Sequence, residues 1–229
     1  MPKTILITGA SSGIGRATAE LLVRDGHRVL TLARSREILK GLVKKYKNAK
    51  AYPCDLRNLK ETFSVAKKIL AENKRIDVLV NNAGVGFPTR LDELKEGEYC
   101  DIMDTNVKGL IFLTREILKR MKKQNSGHII NISSPAGQRS NPVAPIYCAS
   151  KFAVEGYTEG LRLQIKEEKK DIRVTLVRPG GVDTNYWGKR EVAREKFMRP
   201  EEMARVLKFA IDFPEKSNVQ EITLESVRY

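Results

Sequence analysis

Apolar and polar positions switch between two periods along the chain. Seven short runs rich in Val, Ile and Leu, at residues 3–8, 28–33, 49–54, 76–80, 127–133, 172–177 and 221–224, read as strands. The stretches between them carry a helical period. After the first run, Ile14, Ala17, Thr18, Leu21 and Leu22 fall at i, i+3, i+4, i+7 and i+8. Further helices are predicted over 36–46, 59–73, 96–123, 144–168 and 200–213. Asn58 reads as an N-cap, with Glu61 three residues on. Several strand runs are apolar on both faces, as a parallel sheet covered by helices requires. Strand–helix alternation with right-handed crossovers gives the fold class: α/β, a doubly wound, mostly parallel seven-stranded sheet with helices on both faces. Residues 1–229 are expected to form a single domain, with Gly, Pro and Asn gathered in loops at 84–90, 135–145 and 180–199.

Composition narrows the function. The 42 Lys and Arg against 28 Asp and Glu leave a formal charge of +14, which raises nucleic acid or a small anion as a partner. The basic runs 44–45, 119–123 and 166–170 lie on predicted helices; acids such as Glu167, Glu168 and Asp171 intersperse or flank them, and aromatic interleaving is lacking. Mixed charge of this kind marks a solvated face, so no nucleic-acid partner is expected. No apolar run approaches the roughly 18 residues of a membrane helix, and the start of the chain lacks a signal-peptide pattern. Cys54, Cys100 and Cys148 are far apart and odd in number, which suits a reducing cytoplasm. His27 and His128 are too isolated for a zinc site or a Ser-His-Asp triad, and no metal is expected.

The first strand runs into Thr8-Gly9-Ala10-Ser11-Ser12-Gly13-Ile14-Gly15 and then a helix. Glycines let backbone approach a pyrophosphate, and a helix N-terminus offers it free N–H groups and partial positive charge. The spacing is G-x-x-x-G-x-G rather than the common G-x-G-x-x-G, and a plain turn is the alternative reading. Dinucleotide folds that take NAD place an acid after the second strand, on the ribose 2′-hydroxyl. Here Arg34 and Ser35 stand there instead, a cation and a hydroxyl suited to a 2′-phosphate, which favours NADPH over NADH. A solvated surface arginine is the bland alternative.

Tyr147 and Lys151 lie at i and i+4 on one predicted helix. A tyrosine near pKa about 10 is a poor acid–base group at neutral pH unless a neighbouring cation stabilises its phenolate. Ser133 and Ser134 close the fifth strand run, and Asn81-Asn82-Ala83-Gly84 closes the fourth, at the carboxyl edge where ligands bind in this architecture. Asn106 sits inside the predicted 96–123 helix, where a surface position or a cap at a kink is the ordinary reading.

Taken together, T-G-A-S-S-G-I-G (8–15), C-D-L (54–56), N-N-A-G (81–84), N-V-K-G (106–109), I-S-S (132–134), Y-C-A-S-K (147–151) and R-P-G-G-V-D-T (178–184) resemble the short-chain dehydrogenase/reductase family in its compact, single-domain Rossmann form. The resemblance spans nearly the whole chain. It implies an NADP(H)-dependent oxidoreductase that moves a hydride between nicotinamide and a ketone, aldehyde or hydroxy acid. By the same resemblance, Tyr147 is the general acid, Lys151 its pKa-lowering partner and ribose contact, Ser134 the substrate-polarising hydroxyl, and Asn106 the holder of a relay water. The implied cofactor contacts are Gly9, Ser11, Ser12, Gly13, Ile14 and Gly15 on the pyrophosphate and Arg34 and Ser35 on the 2′-phosphate. Asp55 and Leu56 would meet the adenine, and Asn82, Ala83 and Gly84 the adenosine ribose and central sheet. Pro179, Gly180, Val182 and Thr184 would meet the carboxamide and pyrophosphate. Residues at about 184–200 form a short substrate lid, with Tyr186 and Trp187 as its bulky members, and Val85, Gln138 and Val143 as further pocket wall. The basic Gly188-Lys189-Arg190 is read as a solvated lid, with an acidic substrate as the alternative. The resemblance also implies a homodimer or homotetramer. A nicotinamide-binding sensor on the same fold is the competing reading, disfavoured by the complete Asn106, Ser134, Tyr147 and Lys151 set.

Overall fold

The computed structural model describes residues 1–188 and 190–227. Its seven strands are β1 (Thr4–Thr8), β2 (Arg28–Ala33), β3 (Ala49–Pro53), β4 (Val78–Asn81), β5 (Gly127–Ile132), β6 (Ile172–Pro179) and β7 (Glu221–Leu224). They form one sheet in the order β3-β2-β1-β4-β5-β6-β7, with every neighbouring pair parallel. The sheet is therefore wholly parallel, and all its carboxyl ends face one edge. The chain winds outward from β1 in one direction and from β4 in the other, so the crevice between these two strands is the topological switch point.

Strand periodicity divides the core. Ile5, Ile7, Val29, Val78 and Val80 pack on one face against Leu22, Leu39, Leu42 and Leu207. Those partners come from α1 (Gly13–Arg24), α2 (Arg36–Lys45) and α7 (Pro200–Asp212). Leu6, Leu30, Leu79 and Ile129 point the other way, against Ile69, Leu113, Ile117, Leu161 and Ile165. These belong to α3 (Leu59–Glu72), α5 (Leu110–Gln124) and α6 (Pro145–Glu167). Both faces are covered, which is why the strands read as near-continuous apolar runs. At the head of α3, Asn58 caps the helix by accepting the Glu61 backbone N–H at 3.2 Å.

The predicted helix over 96–123 is a single stretch only in outline. It consists of α4 (Glu96–Met103), a wider π turn at Asp104–Gly109, and α5. Tertiary contacts override the regular period there. A Cβ on Gly109 would stand 2.6 Å from the Leu56 carbonyl oxygen, so the helix passes that loop at a distance only glycine permits. The wide turn carries Asn106 inward, to 1% exposure. Its Oδ1 accepts the Val85 N–H at 2.8 Å, and its Nδ2 donates to the Val85 carbonyl at 2.8 Å and to Ser150 Oγ at 3.0 Å. Asn106 is thus neither a surface residue nor a cap. Strand ends also move slightly: β4 begins at Val78 rather than 76, and β6 extends to Pro179.

Two substitutions test this packing. Gly109→Ala should lower unfolding free energy by about 1–3 kcal/mol, because the Leu56 backbone must shift. Gly41→Ala, at an exposed position inside α2 with open space around it, should raise it by about 0.5–1 kcal/mol. Denaturant melts of the two variants against the parent measure both.

Candidate active site

The site is assembled from loops that leave β1, β4, β5 and β6 at the carboxyl edge. Gly9 has φ +68° and Gly13 φ +52°. A Cβ on Gly9 would lie 2.8 Å from Asn82 Nδ2, and one on Gly15 would lie 2.5 Å from the Gly9 carbonyl oxygen. The loop is therefore a bare backbone cradle by necessity. The first α1 N–H to find a helical acceptor is that of Arg16, on Ser12 O at 3.1 Å, so the N–H groups of Gly13, Ile14 and Gly15 precede the bonded ladder. Ser12 is the N-cap residue but makes no side-chain cap bond; Ser11 stands beside it, partly buried. The β4 end holds the cradle in place. Asn82 Nδ2 donates to the Thr8 carbonyl at 2.9 Å, and Thr8 Oγ1 accepts the N–H groups of Asn82 at 3.0 Å and Ala83 at 2.9 Å.

At the end of β2, Arg34 and Ser35 are both exposed, and Ser35 heads α2 without using its hydroxyl as a cap. Asp55, after β3, is fully engaged by a residue outside the sequence-derived set. Arg57 Nε donates to both carboxylate oxygens at 3.0 Å, Nη2 to Oδ2 at 2.6 Å, and the Arg57 N–H to Oδ1 at 3.0 Å. The same guanidinium pairs with Asp101 on α4. These bonds hold the Asp55 carboxyl below its usual range, with Arg34 adding to the effect. Leu56 is buried against the π turn.

Ser134 follows β5 and heads a 3₁₀ turn, Pro135–Gly137, its Oγ accepting the Ala136 N–H at 3.2 Å. It also acts to lower the pKa of Tyr147, whereas Ser133 Oγ is buried with no partner among the described residues. Tyr147 and Lys151 share the first two turns of α6. Lys151 is 6% exposed; its Nζ donates to the Ile132 carbonyl at 2.9 Å and lies 5.7 Å from the Tyr147 ring centre. Burial lowers the ammonium to about 8, with Glu155 opposing. Burial also holds the Tyr147 phenol well above its usual value; a hydrogen bond to Tyr186 adds to this and the one from Ser134 opposes it. A Cβ on Gly84 would sit 3.3 Å from Asn106 Oδ1 and 3.7 Å from Lys151 Nζ, so these three residues meet at one point. Ser150 ties the group together by donating to the Tyr147 carbonyl at 2.7 Å, a contact that the Y-C-A-S-K spacing alone does not reveal.

The loop after β6 completes the enclosure. Pro179 ends the strand and the Gly180 N–H bonds the Leu224 carbonyl at 2.8 Å. Val182 is buried and bridges to Met198. The Thr184 methyl is packed against Gly13, where a Cβ would stand 3.0 Å away. Tyr186 then lies over Tyr147, ring centres 5.7 Å apart, and Trp187 follows at 5.3 Å from Tyr186. Gly86 makes room for this: its Cβ would fall 2.7 Å from the Tyr147 ring. Val85 is tied to the site through Asn106, while Gln138 and Val143 are exposed on the loop between β5 and α6. Lys189, part of the basic lid run, lies outside the described residues.

A dinucleotide fits this edge chemically. The cradle is kept free of side chains where a phosphate would approach, unbonded N–H groups face it, and a cation stands at the end of β2. Comparison with known proteins agrees with the arrangement. The family model for short chain dehydrogenases matches residues 3–195. An uncharacterized oxidoreductase of Staphylococcus saprophyticus is 33% identical, covering 97% of this chain and 95% of its own. An alcohol dehydrogenase from the archaeon Thermococcus sibiricus, solved with 5-hydroxy-NADP, superposes with a TM-score of 0.90 at 29% identity, covering 100% of this chain and 98% of its own. The closed form of a serine dehydrogenase complexed with NADP+ superposes at 0.88 with 28% identity, covering 96% and 94%. With the matched model spanning most of the chain and the motif residues gathered at one sheet edge, the protein is an oxidoreductase of the short-chain dehydrogenase family.

Proposed function

We propose that this protein reduces a small carbonyl compound to an alcohol, or the reverse, with NADP(H). One observation carries the reading. Tyr147 stands one helical turn from a buried Lys151, whose Nζ is 5.7 Å from its ring centre, at the same edge as Ser134 and the glycine cradle. The cofactor, when bound, supplies or accepts the hydride at the substrate carbon. Tyr147 gives its proton to the carbonyl oxygen; burial raises its pKa here, which opposes that transfer, so the stabilisation of its phenolate must come from the Lys151 ammonium and the bound cofactor. Ser134 donates a second hydrogen bond to the same oxygen. Lys151, charged below about pH 8, favours the phenolate that Tyr147 leaves behind, and it would hold the nicotinamide ribose. Asn106 fixes Val85 at the pocket wall and, as in the family, would hold a relay water toward Lys151.

Gly9, Ser11, Ser12, Gly13, Ile14 and Gly15, with Thr184, would hold the pyrophosphate. Arg34 and Ser35 would take the 2′-phosphate; the NADP-bound relatives support this, as does the lack of an acid at the end of β2. Asp55 and Leu56 would meet the adenine, with Asp55 sharing its oxygens with Arg57. Asn82, Ala83 and Gly84 would flank the adenosine ribose, and Pro179, Gly180 and Val182 the carboxamide. Residues 184–200 act as the substrate lid of a single domain, Tyr186 and Trp187 lining it with Val85, Gln138 and Val143. Exposed Tyr99 on α4 and Phe152 and Leu163 on α6 support a homodimer or homotetramer. The free Cys54, Cys100 and Cys148 suit the cytoplasm.

Tyr147→Phe should lower kcat by about 10²- to 10⁴-fold. Its NADPH dissociation constant, read by fluorescence titration, should stay within a few-fold; an unchanged kcat would remove Tyr147 from its role. Arg34→Ala should weaken NADPH about 10- to 100-fold, the loss of a charged hydrogen bond, and leave NADH nearly unaffected. Equal losses for both would contradict the 2′-phosphate contact. For reduction, kcat/KM for the cofactor reports the unloaded enzyme. It should be flat at low pH and fall as Lys151 loses its proton above about 8, because the ammonium is the active form. A rise through that pH would reverse the assignment.

A further inference from the structure

The lid holds a cation whose charge has no acidic partner among the described residues. Arg190 Nε donates to the Trp187 carbonyl at 2.8 Å, and Nη2 to the carbonyls of Tyr186 and, at 3.4 Å, Gly86. Its guanidinium stacks 4.7 Å from the Tyr186 ring centre and 5.2 Å from that of Trp187. All these acceptors are neutral. Arg194, also in the lid, is neutralised by Asp183 at 3.3 Å, and buried Arg178 by Glu155 at 2.6 Å and Glu221 at 2.7 Å. A half-buried guanidinium left on dipoles alone retains its attraction for an anion, and its planar fork suits a carboxylate.

The second observation is what Tyr186 does to the proposed acid. Its ring lies over Tyr147, centres 5.7 Å apart, on the side from which a substrate carbonyl would reach the Tyr147 hydroxyl. Gly86, with no side chain, lets the Tyr186 hydroxyl and the Tyr147 ring approach each other. The proton donor, the lid tyrosine and a cation therefore stack in series: Tyr147, Tyr186, Arg190. That series has the layout of a carbonyl group followed, a few bonds on, by a carboxylate.

We propose that Arg190 is the specificity-determining residue for a substrate carboxylate, and that the Tyr186 ring covers the carbonyl site until the substrate displaces it. The substrate class is then a short oxo acid and the corresponding hydroxy acid. This rests on the carbonyl-reductase reading and narrows it. Reduction adds one hydride to the oxo carbon and the Tyr147 proton to its oxygen, NADPH becomes NADP+, and the carboxylate stays intact on Arg190.

Trp187 is the single tryptophan of the chain and stacks on Arg190, so its emission reports directly on this subsite. The protein saturated with NADP+ is titrated with 2-oxobutanoate, 3-oxobutanoate and the methyl ester of each, in the parent, Arg190→Gln and Arg190→Lys. The parent should bind at least one acid about 10- to 100-fold more tightly than its ester. Arg190→Gln should bring that ratio to about one, and Arg190→Lys should keep part of it. A parent ratio near one overturns the proposal. So does a ratio that survives Arg190→Gln, or an NADP+ affinity that falls as steeply as the acid's. Parallel assays of NADPH consumption separate the two readings. Turnover of ester and acid alike sinks the carboxylate subsite and leaves the reductase. Acid-selective binding without any NADPH consumption keeps the subsite and sinks the reductase.

Discussion

The clasp between the ends of β1 and β4 is the contact on which the site depends. Thr8 and Asn82 bind each other twice over, side chain to backbone in both directions, at the place where the strand order reverses. The parallel sheet brings the strand ends to one edge, and the clasp fixes how the loops leave it. Asn82 presses against Gly9 and Gly15, so the cradle tolerates no side chain there and takes its shape from β4 as much as from β1. Gly84, two residues on, places the same segment against Asn106 and Lys151. One polar contact thus couples the phosphate cradle to the acid–base group. A buried polar cluster of this kind is rigid only when its members are satisfied, and here Thr8 Oγ1 and Asn82 Nδ2 are.

The sheet was readable from the chain because its physics is local. Two-residue and 3.6-residue periods separate strands from helices, and double-sided apolar runs demand a covered parallel sheet. What escaped was set by contacts between distant segments. The π turn at Asp104–Gly109 exists because Gly109 passes the Leu56 carbonyl and Asn106 grips Val85; the 96–123 stretch by itself reads as unbroken helix. Likewise, Arg57 is one of many basic residues in the sequence, and only the fold brings Asp55 and Asp101 to it together. Tyr186 and Arg190 were visible as a bulky and a basic lid residue. Their stacking over Tyr147 depends on the lid returning across the mouth of the site, anchored by Val182 and Met198.

The charge surplus of +14 takes on a different meaning once side chains are placed. Many basic residues sit beside acids on helix faces, such as Lys119 with Glu116 at 2.9 Å and Lys122 with Glu168 at 2.6 Å. Exposed pairs of this kind add little stability and chiefly keep the surface solvated. Arg34, just after β2, and Arg190, in the loop after β6, form no ion pair with an acid among the described residues. Under the proposed reading each waits for an anionic group, one on the cofactor and one on the substrate.

Isotope transfer tests the central claim most directly. NADPH carrying deuterium at the transferable C4 position is incubated with the protein and a panel of ketones, aldehydes and oxo acids, and the alcohol formed is examined by proton NMR. The account predicts one deuterium on the carbinol carbon of the product, with the hydroxyl proton drawn from solvent through Tyr147. Carbinol hydrogen taken from water, or no alcohol formed from any member of the panel while the protein binds NADPH, would contradict it.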